Sequence, residues 1–223
     1  EDVKALRNRQ FREDNGPLAH SVRPESFIEI NNFYTATVYE KGAELIRMIK
    51  TLVGEDNYKV ALDLYFQRHD GNACTIEDWL QVFSDTTGED FNQFKLWYSQ
   101  AGTPQVKVNE RFADGTLTLD VSQSIPNTPG QINKQPLVMP IAIGLLNTDG
   151  DEVLPTEILT LDQSSQSFSF SGFQEKPILS VLRKFSAPVI LKYTNTEAER
   201  LVLLKHDTDM FNRYEVSRNL CLE

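Results

Sequence analysis

Apolar positions recur at helical spacing over residues 1–101 and at alternate positions over residues 102–193. Val38, Ala43, Leu45, Ile46, Ile49, Leu52 and Val53 fall near one stripe of a helix running from about Phe33 to Val53, and Gly54 is placed to end it. Tyr58, Ala61, Leu62, Tyr65 and Phe66 mark a second helix that stops at Asp70-Gly71. Thr75 caps a third: Asp78 sits three positions on, as in a capping box, and Ile76, Trp79, Leu80 and Phe83 form the apolar face that Gly88 closes. Phe91, Phe94, Leu96, Trp97 and Tyr98 predict a fourth helix. Residues 1–14 fit a short helix, and Pro17 to Ile30 reads as loop and extended chain.

Ala101-Gly102-Thr103-Pro104 breaks the helical pattern. Beyond it, Val106-Lys107-Val108 and Leu117 to Val121 alternate as half-buried strands do, with Asp114-Gly115 as the hairpin turn between them. Leu137 to Leu146 is a more buried strand, and Asp149-Gly150 turns it into Glu152-Val153-Leu154. Ile158 to Leu161, Gln166 to Phe170, Ile178 to Leu182 and Val189 to Tyr193 complete seven or eight short strands, the number and spacing of an immunoglobulin-like β-sandwich. Helical pattern resumes at Thr196, runs through Leu204, restarts at Asp209 and continues to Leu220. The organisation is therefore α+β and multidomain: helices over 1–101, a β-sandwich over 102–193, and the start of another helical part over 194–223. The first residues are already helix-like and the last helix has nothing to pack on, so both ends read as cuts through a larger protein.

Composition changes the picture mainly by exclusion. The 223 residues carry 22 basic and 32 acidic side chains, a net charge of −10, which opposes binding to phosphate backbones and anionic membranes. The apolar run Pro136–Leu146 is too short to span a bilayer and contains two prolines, so neither nucleic acid nor membrane insertion is expected. Two cysteines, Cys74 and Cys221, are too few for a disulfide framework and fit reduced thiols in a cytoplasmic protein.

Catalytic motifs are scarce. His20, His69 and His206 lie in three regions with no metal-ligand spacing, and there is no His-Glu-x-x-His, Gly-x-Ser-x-Gly or phosphate-binding loop. The acidic pairs Glu55-Asp56, Glu77-Asp78 and Glu89-Asp90 sit at helix starts, where they complement the macrodipole. One stretch stands apart. Asn31 to Ala43 is dense in polar and aromatic groups and places Gly42 inside a helix, at about 1 kcal/mol relative to Ala; the glycine implies close approach by another helix.

That stretch, Asn31-Asn32-Phe33-Tyr34 followed by Val38-Tyr39-Glu40-Lys41-Gly42-Ala43, resembles the segment downstream of the zinc motif in aminopeptidase N-type zinc metallopeptidases. Arg9-Gln10-Phe11, Ala19-His20 and Arg23-Pro24, then Leu64 to Gly71, Trp97 to Pro104, Gln135-Pro136-Leu137 and Phe185 to Val189, are similar to further landmarks in order, most closely in the bacterial alanyl aminopeptidase branch. The resemblance covers nearly the whole chain. It implies that residues 1–101 are the helical end of a thermolysin-like catalytic domain, with the sandwich and the start of a large helical domain after it. It also implies zinc in the intact parent, held by residues upstream of Glu1, and none bound here.

By the same resemblance, Tyr39 matches the family's catalytic tyrosine. A phenol, with an ordinary pKa of about 10, is protonated at neutral pH and can donate a hydrogen bond to the carbonyl oxygen as negative charge develops on it. Asn31 and Tyr34 match positions lining the pocket for the substrate's first side chain, and Glu40 matches one near the next pocket. The implied substrates are peptides trimmed from the N-terminus, and the implied partner is the remainder of the parent, which should dock on an exposed apolar patch of residues 1–101. Two other classes remain open: a non-catalytic scaffold that binds peptides or a partner, and a metal-binding module built on the histidines.

Overall fold

The computed structural model describes residues 2–222. Its contacts divide them into two compact units. One runs to Gly102 and adds Asn127–Met139; the other comprises Thr103–Pro126 and the chain from Pro140 onward.

The first unit opens with three consecutive helical pieces, α1 (Asp2–Ala5), a wide π-turn (Leu6–Gln10) and α2 (Phe11–Asp14). After an irregular stretch and a 3-10 turn (Ile30–Phe33), a second π-turn (Thr37–Lys41) leads into α3 (Gly42–Val53). The helix expected from Phe33 therefore starts later. Thr35 interrupts it, its hydroxyl accepting from the Val38 N–H at 3.1 Å and its carbonyl from the Tyr39 N–H at 3.2 Å, in the manner of an N-cap. Next come α4 (Glu55–His69), α5 (Ile76–Thr87) and the single turn α6 (Leu96–Ser99), which is all that forms of the expected fourth helix. The Thr75–Asp78 capping box forms as read, and Gly88 ends α5 with φ 76°.

Leu45, Met48, Ile49 and Val53 of α3, Ala61 of α4, and Leu80, Val82 and Phe83 of α5 are buried, as are Phe91, Phe94 and Trp97, and the Phe91 ring lies against those of Phe83 and Phe94. Tyr58, Tyr65, Trp79 and Phe83 pack as a chain of rings at centroid spacings of 4.8–6.5 Å, several edge to face. Ile46 and Phe66, placed on apolar stripes by periodicity, are exposed. Asn127–Met139 is fastened by side-chain to backbone bonds. Trp97 Nε1 donates to the Val138 carbonyl at 2.7 Å, Gln93 Nε2 to that of Pro136 at 3.1 Å, and Lys134 Nζ to that of Ala101 at 2.6 Å.

The second unit is a sandwich with two helices. Strands β1 (Gln105–Ala113), β2 (Thr116–Ser124), β3 (Met139–Leu146), β4 (Glu152–Leu161), β5 (Ser165–Ser171), β6 (Ile178–Val181) and β7 (Ile190–Lys192) form sheets ordered β5-β2-β1-β7 and β4-β3-β6. The β1–β2 hairpin turns at Asp114 and Gly115, whose φ values of 50° and 70° need the left-handed region. The two segments read on either side of Pro155 are one strand. β4 is a sheet edge, where a residue without an N–H breaks no ladder.

β3 is buried along its whole length, with Arg183 lying over Gly144 and helix residues over its Leu146 end. Leu203 of α7 (Glu197–His206) and Val216 of α8 (Met210–Leu222) cluster with Leu146 and Ile178. The last helix, expected to lack a packing partner, thus has one. Arg183 ties the helices down. Its guanidinium is fully buried and donates to Asp207 at 3.0 Å, Glu152 at 2.6 Å, Thr156 at 2.9 Å and Ser180 at 2.8 Å. It lies flat over Gly144, where a Cβ would sit 2.1 Å from its central carbon.

Gly42 is different. Its nearest neighbour to an added Cβ is a methyl of Val22, in the irregular stretch, at an ordinary 3.6 Å, so no helix approaches closely there. Chemical denaturation of the two alanine variants should separate the glycines. Gly144→Ala should cost about 1–3 kcal/mol by overpacking a side chain locked by four acceptors, and Gly42→Ala should be neutral or stabilising by up to about 1 kcal/mol.

Candidate functional site

Tyr39 sits in the second π-turn, and the turn is shaped by what lies beneath it. Lys41, two residues on, is 1% exposed. Its ammonium donates to Asp14 Oδ2 at 2.8 Å and to the Gly102 carbonyl at 3.2 Å, and lies 5.8 Å from the centre of the Trp97 ring. Asp14 is equally buried, and its other oxygen accepts from the Gly102 N–H at 2.7 Å. One turn earlier, Gln10 Nε2 donates to the Thr37 hydroxyl at 3.4 Å, and Glu13 Oε1 accepts from the Thr37 N–H at 2.8 Å. The N-terminal helical pieces thus grip the π-turn at both ends, through Thr37 and through Lys41. Wide turns of this kind recur at functional sites.

With Lys41 held inward, Tyr39 faces out and is 59% exposed. Its ring stacks on that of Tyr34, itself exposed, at a centroid distance of 6.1 Å and an interplanar angle of 19°. The structure therefore brings two of the four sequence candidates face to face. Asn31 is exposed in the 3-10 turn, and its amide donates to Glu29 Oε1 at 2.9 Å. Glu40 follows Tyr39 in sequence, but its carboxylate turns to Arg9 at 3.3 Å. The other oxygen, Oε2, is buried with no hydrogen-bond partner among the described residues. Phe27, Ile28 and Ile30, just before the candidates in sequence, are also exposed, Ile28 completely.

The stretch before the candidates is anchored by Arg23. Its backbone N–H donates to the Tyr98 carbonyl at 2.9 Å, and its guanidinium pairs with Glu77 at 2.8 Å. Lys95 also pairs with Glu77, at 2.5 Å. These two cations, Lys95 foremost, hold the Glu77 carboxyl down at about 2.

Sequence reasoning missed Asp14, Thr35, Gln10 and Lys41. One signal was available: Lys41 falls at the i−4 and i−7 positions of Leu45 and Met48, a cation on the apolar stripe of α3.

The residues present do not fit a zinc centre. Among the described residues no group of three or more His, Cys, Asp or Glu side chains is arranged to hold a metal ion. The His20 ring donates from Nδ1 to the Ser21 carbonyl, His69 lies against Tyr65, and His206 covers Gly150 in the other unit.

Comparison with known proteins decides the family. Residues 2–98 match the Peptidase family M1 domain, and residues 102–194 match a domain of unknown function (DUF3458) with an Ig-like fold. Residues 2–98 are therefore part of an M1 peptidase domain, and the chain as a whole is similar to M1 aminopeptidases. It is 51% identical over 221 residues to aminopeptidase N of Caulobacter vibrioides and 42% identical over 229 residues to that of Escherichia coli, each match covering 98% of this chain. It spans 26% of the length of both relatives. A crystal structure of Legionella pneumophila aminopeptidase A in complex with aspartic acid superposes with a TM-score of 0.82 at 29% identity, over 99% of this chain and 27% of that one.

The resemblance drawn from the tyrosine stretch and its flanking landmarks is therefore correct, as are the α+β class and the immunoglobulin-like sandwich. No helix among the described residues is long and apolar enough to cross a membrane.

The Arg23 anchor gives this M1 segment a specific acid response. A carboxyl held below its ordinary value stabilises the fold above about pH 4.5, and that contribution is lost as pH falls toward about 2. Thermal midpoints of the chain and of Glu77→Gln should differ at pH 6, with the parent sequence the more stable, and should converge between pH 4.5 and 2. A gap that stays constant over that range would rule the anchor out.

Proposed function

We propose that this chain is a working part of a zinc aminopeptidase that releases N-terminal residues from peptides, and that its main contribution is the hydroxyl of Tyr39. The observation that carries the reading is the exposed Tyr39 on its gripped π-turn, within a stretch that matches the M1 peptidase domain. Residues 1–101 would be the helical end of the thermolysin-like catalytic domain, 102–193 the sandwich, and 194–223 the start of a further helical domain. The zinc would be held by another stretch of the parent, since no group of three or more His, Cys, Asp or Glu among the described residues is arranged to hold it. Exposed Phe27, Ile28 and Ile30 are a natural seat for that stretch. Free Cys74 and Cys221 fit a cytoplasmic setting.

In this reading the chemistry supplied here is one hydrogen bond. The Tyr39 O–H donates to the oxygen of the scissile carbonyl. That bond strengthens as the oxygen becomes negative, so it stabilises the transition state more than the substrate. Tyr34, stacked on Tyr39, and Asn31 would face the side chain of the substrate's first residue. Glu40 would lie near the residue beyond the cleaved bond. A scaffold that binds peptides without catalysis also leaves Tyr39 exposed, but gives no reason for a phenol at that position.

The chain by itself should neither hydrolyse an alanyl chromogenic substrate nor take up stoichiometric zinc. In the intact parent, Tyr39→Phe should lower kcat by on the order of 10²–10³-fold, as removal of one oxyanion donor does, with zinc content unchanged. A kcat within threefold of the parent would refute the assigned role.

A further inference from the structure

The π-turn is a costly way to present a side chain, and the structure shows what maintains it. We infer that Asp14 and Lys41 are positioning residues for Tyr39: their buried ion pair holds the turn open and so sets the direction of the phenol. The inference rests on the catalytic reading of Tyr39.

Tyr39 and Lys41 are two positions apart, which on a helix places them on nearly opposite sides. Drawing Lys41 into the interior therefore drives Tyr39 outward. The pull is specific. The ammonium has three donors, and Asp14, the Gly102 carbonyl and the Trp97 face surround it. Asp14 is fixed in turn by the Gly102 N–H, so the carboxylate cannot follow if the lysine moves. At the other end of the turn, Glu13 takes the Thr37 N–H and Gln10 the Thr37 hydroxyl. Thr37 and Lys41 are thus tied to side chains of the same N-terminal helical segment, at positions 10, 13 and 14. That fixed span accommodates the extra residue of a π-turn. Without the inward pull, the backbone is free to tighten to an α-turn, turning the residues before it relative to α3 by up to about 100°, the rotation per residue of an α-helix. The Tyr34–Tyr39 stack would break with it.

Lys41 touches no substrate position in this arrangement, so its effect must pass through Tyr39. A double-mutant cycle in the intact parent reads that directly. Asp14→Asn with Lys41→Met keeps an acceptor for the Gly102 N–H, fills the lysine stem's volume and leaves no unpaired buried charge. The pair variant is expected to melt cooperatively and to lose kcat by on the order of 10- to 100-fold, the scale of a small misplacement of a catalytic group, with KM changed less than threefold. In a Tyr39→Phe background the same substitutions should cost less than twofold. In this chain alone, amide hydrogen exchange across Thr37–Gly42 should speed up at least tenfold, while Leu45–Ile49 stays unchanged.

An equal loss of kcat in both backgrounds, unaltered exchange in the turn, or failure of the pair variant to melt cooperatively would each overturn the inference. In the last case the pair would be holding the fold rather than the turn. If Tyr39→Phe alone leaves kcat intact, the catalytic reading itself fails, an outcome distinct from failure of the positioning role.

Discussion

An ammonium group removed from water must be paired, and burying one fixes the geometry of whatever supplies the partners. Lys41 imposes that constraint on the first unit. It needs Asp14 from the N-terminal helical segment, a carbonyl from Gly102 and the face of Trp97 from α6. Elements distant in sequence are thus required to converge beneath one π-turn. The outward consequence is an exposed phenol on a backbone that has little freedom to move. Removing one partner of such a pair typically costs about 3–5 kcal/mol, because the other charge is left stranded.

The second unit uses the same device for a different end. Arg183, fully buried over Gly144, collects Glu152 from β4, Ser180 from β6 and Asp207 from the junction of α7 and α8. Asp207 N–H and Asp209 cap the neighbouring backbone, so the helix junction is tied to the same network. The approach to Arg183 is made by residues with left-handed backbone, Leu182 at φ 60° and Lys184 at φ 56°. Such conformations cost free energy in non-glycine residues and persist where surrounding contacts demand them. The two helices pack apolar residues against Leu146 of β3 and Ile178 of β6, and with Arg183 over Gly144 a strand that is apolar without alternation finds cover at its C-terminal end.

Periodicity carried much of this organisation. The stripes of α3 and α5, the Thr75 cap and the Asp114-Gly115 hairpin follow from local rules, because each depends on residues within a few positions. The role proposed for Tyr39 rests on the resemblance; composition alone reads the same stretch as an amphipathic helix with tyrosines at its rim. What escaped depends on partners far along the chain. Both π-turns, the choice of Asp14 as partner of Lys41 at a separation of 27 residues, and the fastening of Asn127–Met139 by Gln93, Trp97 and Lys134 leave no local signature. Gly42 misled for the same reason. A helical glycine signals close packing only if something packs there, and Val22 stands at ordinary distance.

The most direct test is a crystal structure of the intact parent with a phosphonate peptide analogue, whose tetrahedral oxygens mimic the charged carbonyl oxygen. The account requires the Tyr39 hydroxyl at about 3 Å from one of those oxygens, with the Thr37–Lys41 π-turn and the Lys41–Asp14 contact retained. A phenol turned away from the analogue, with water or another side chain donating in its place, would contradict it.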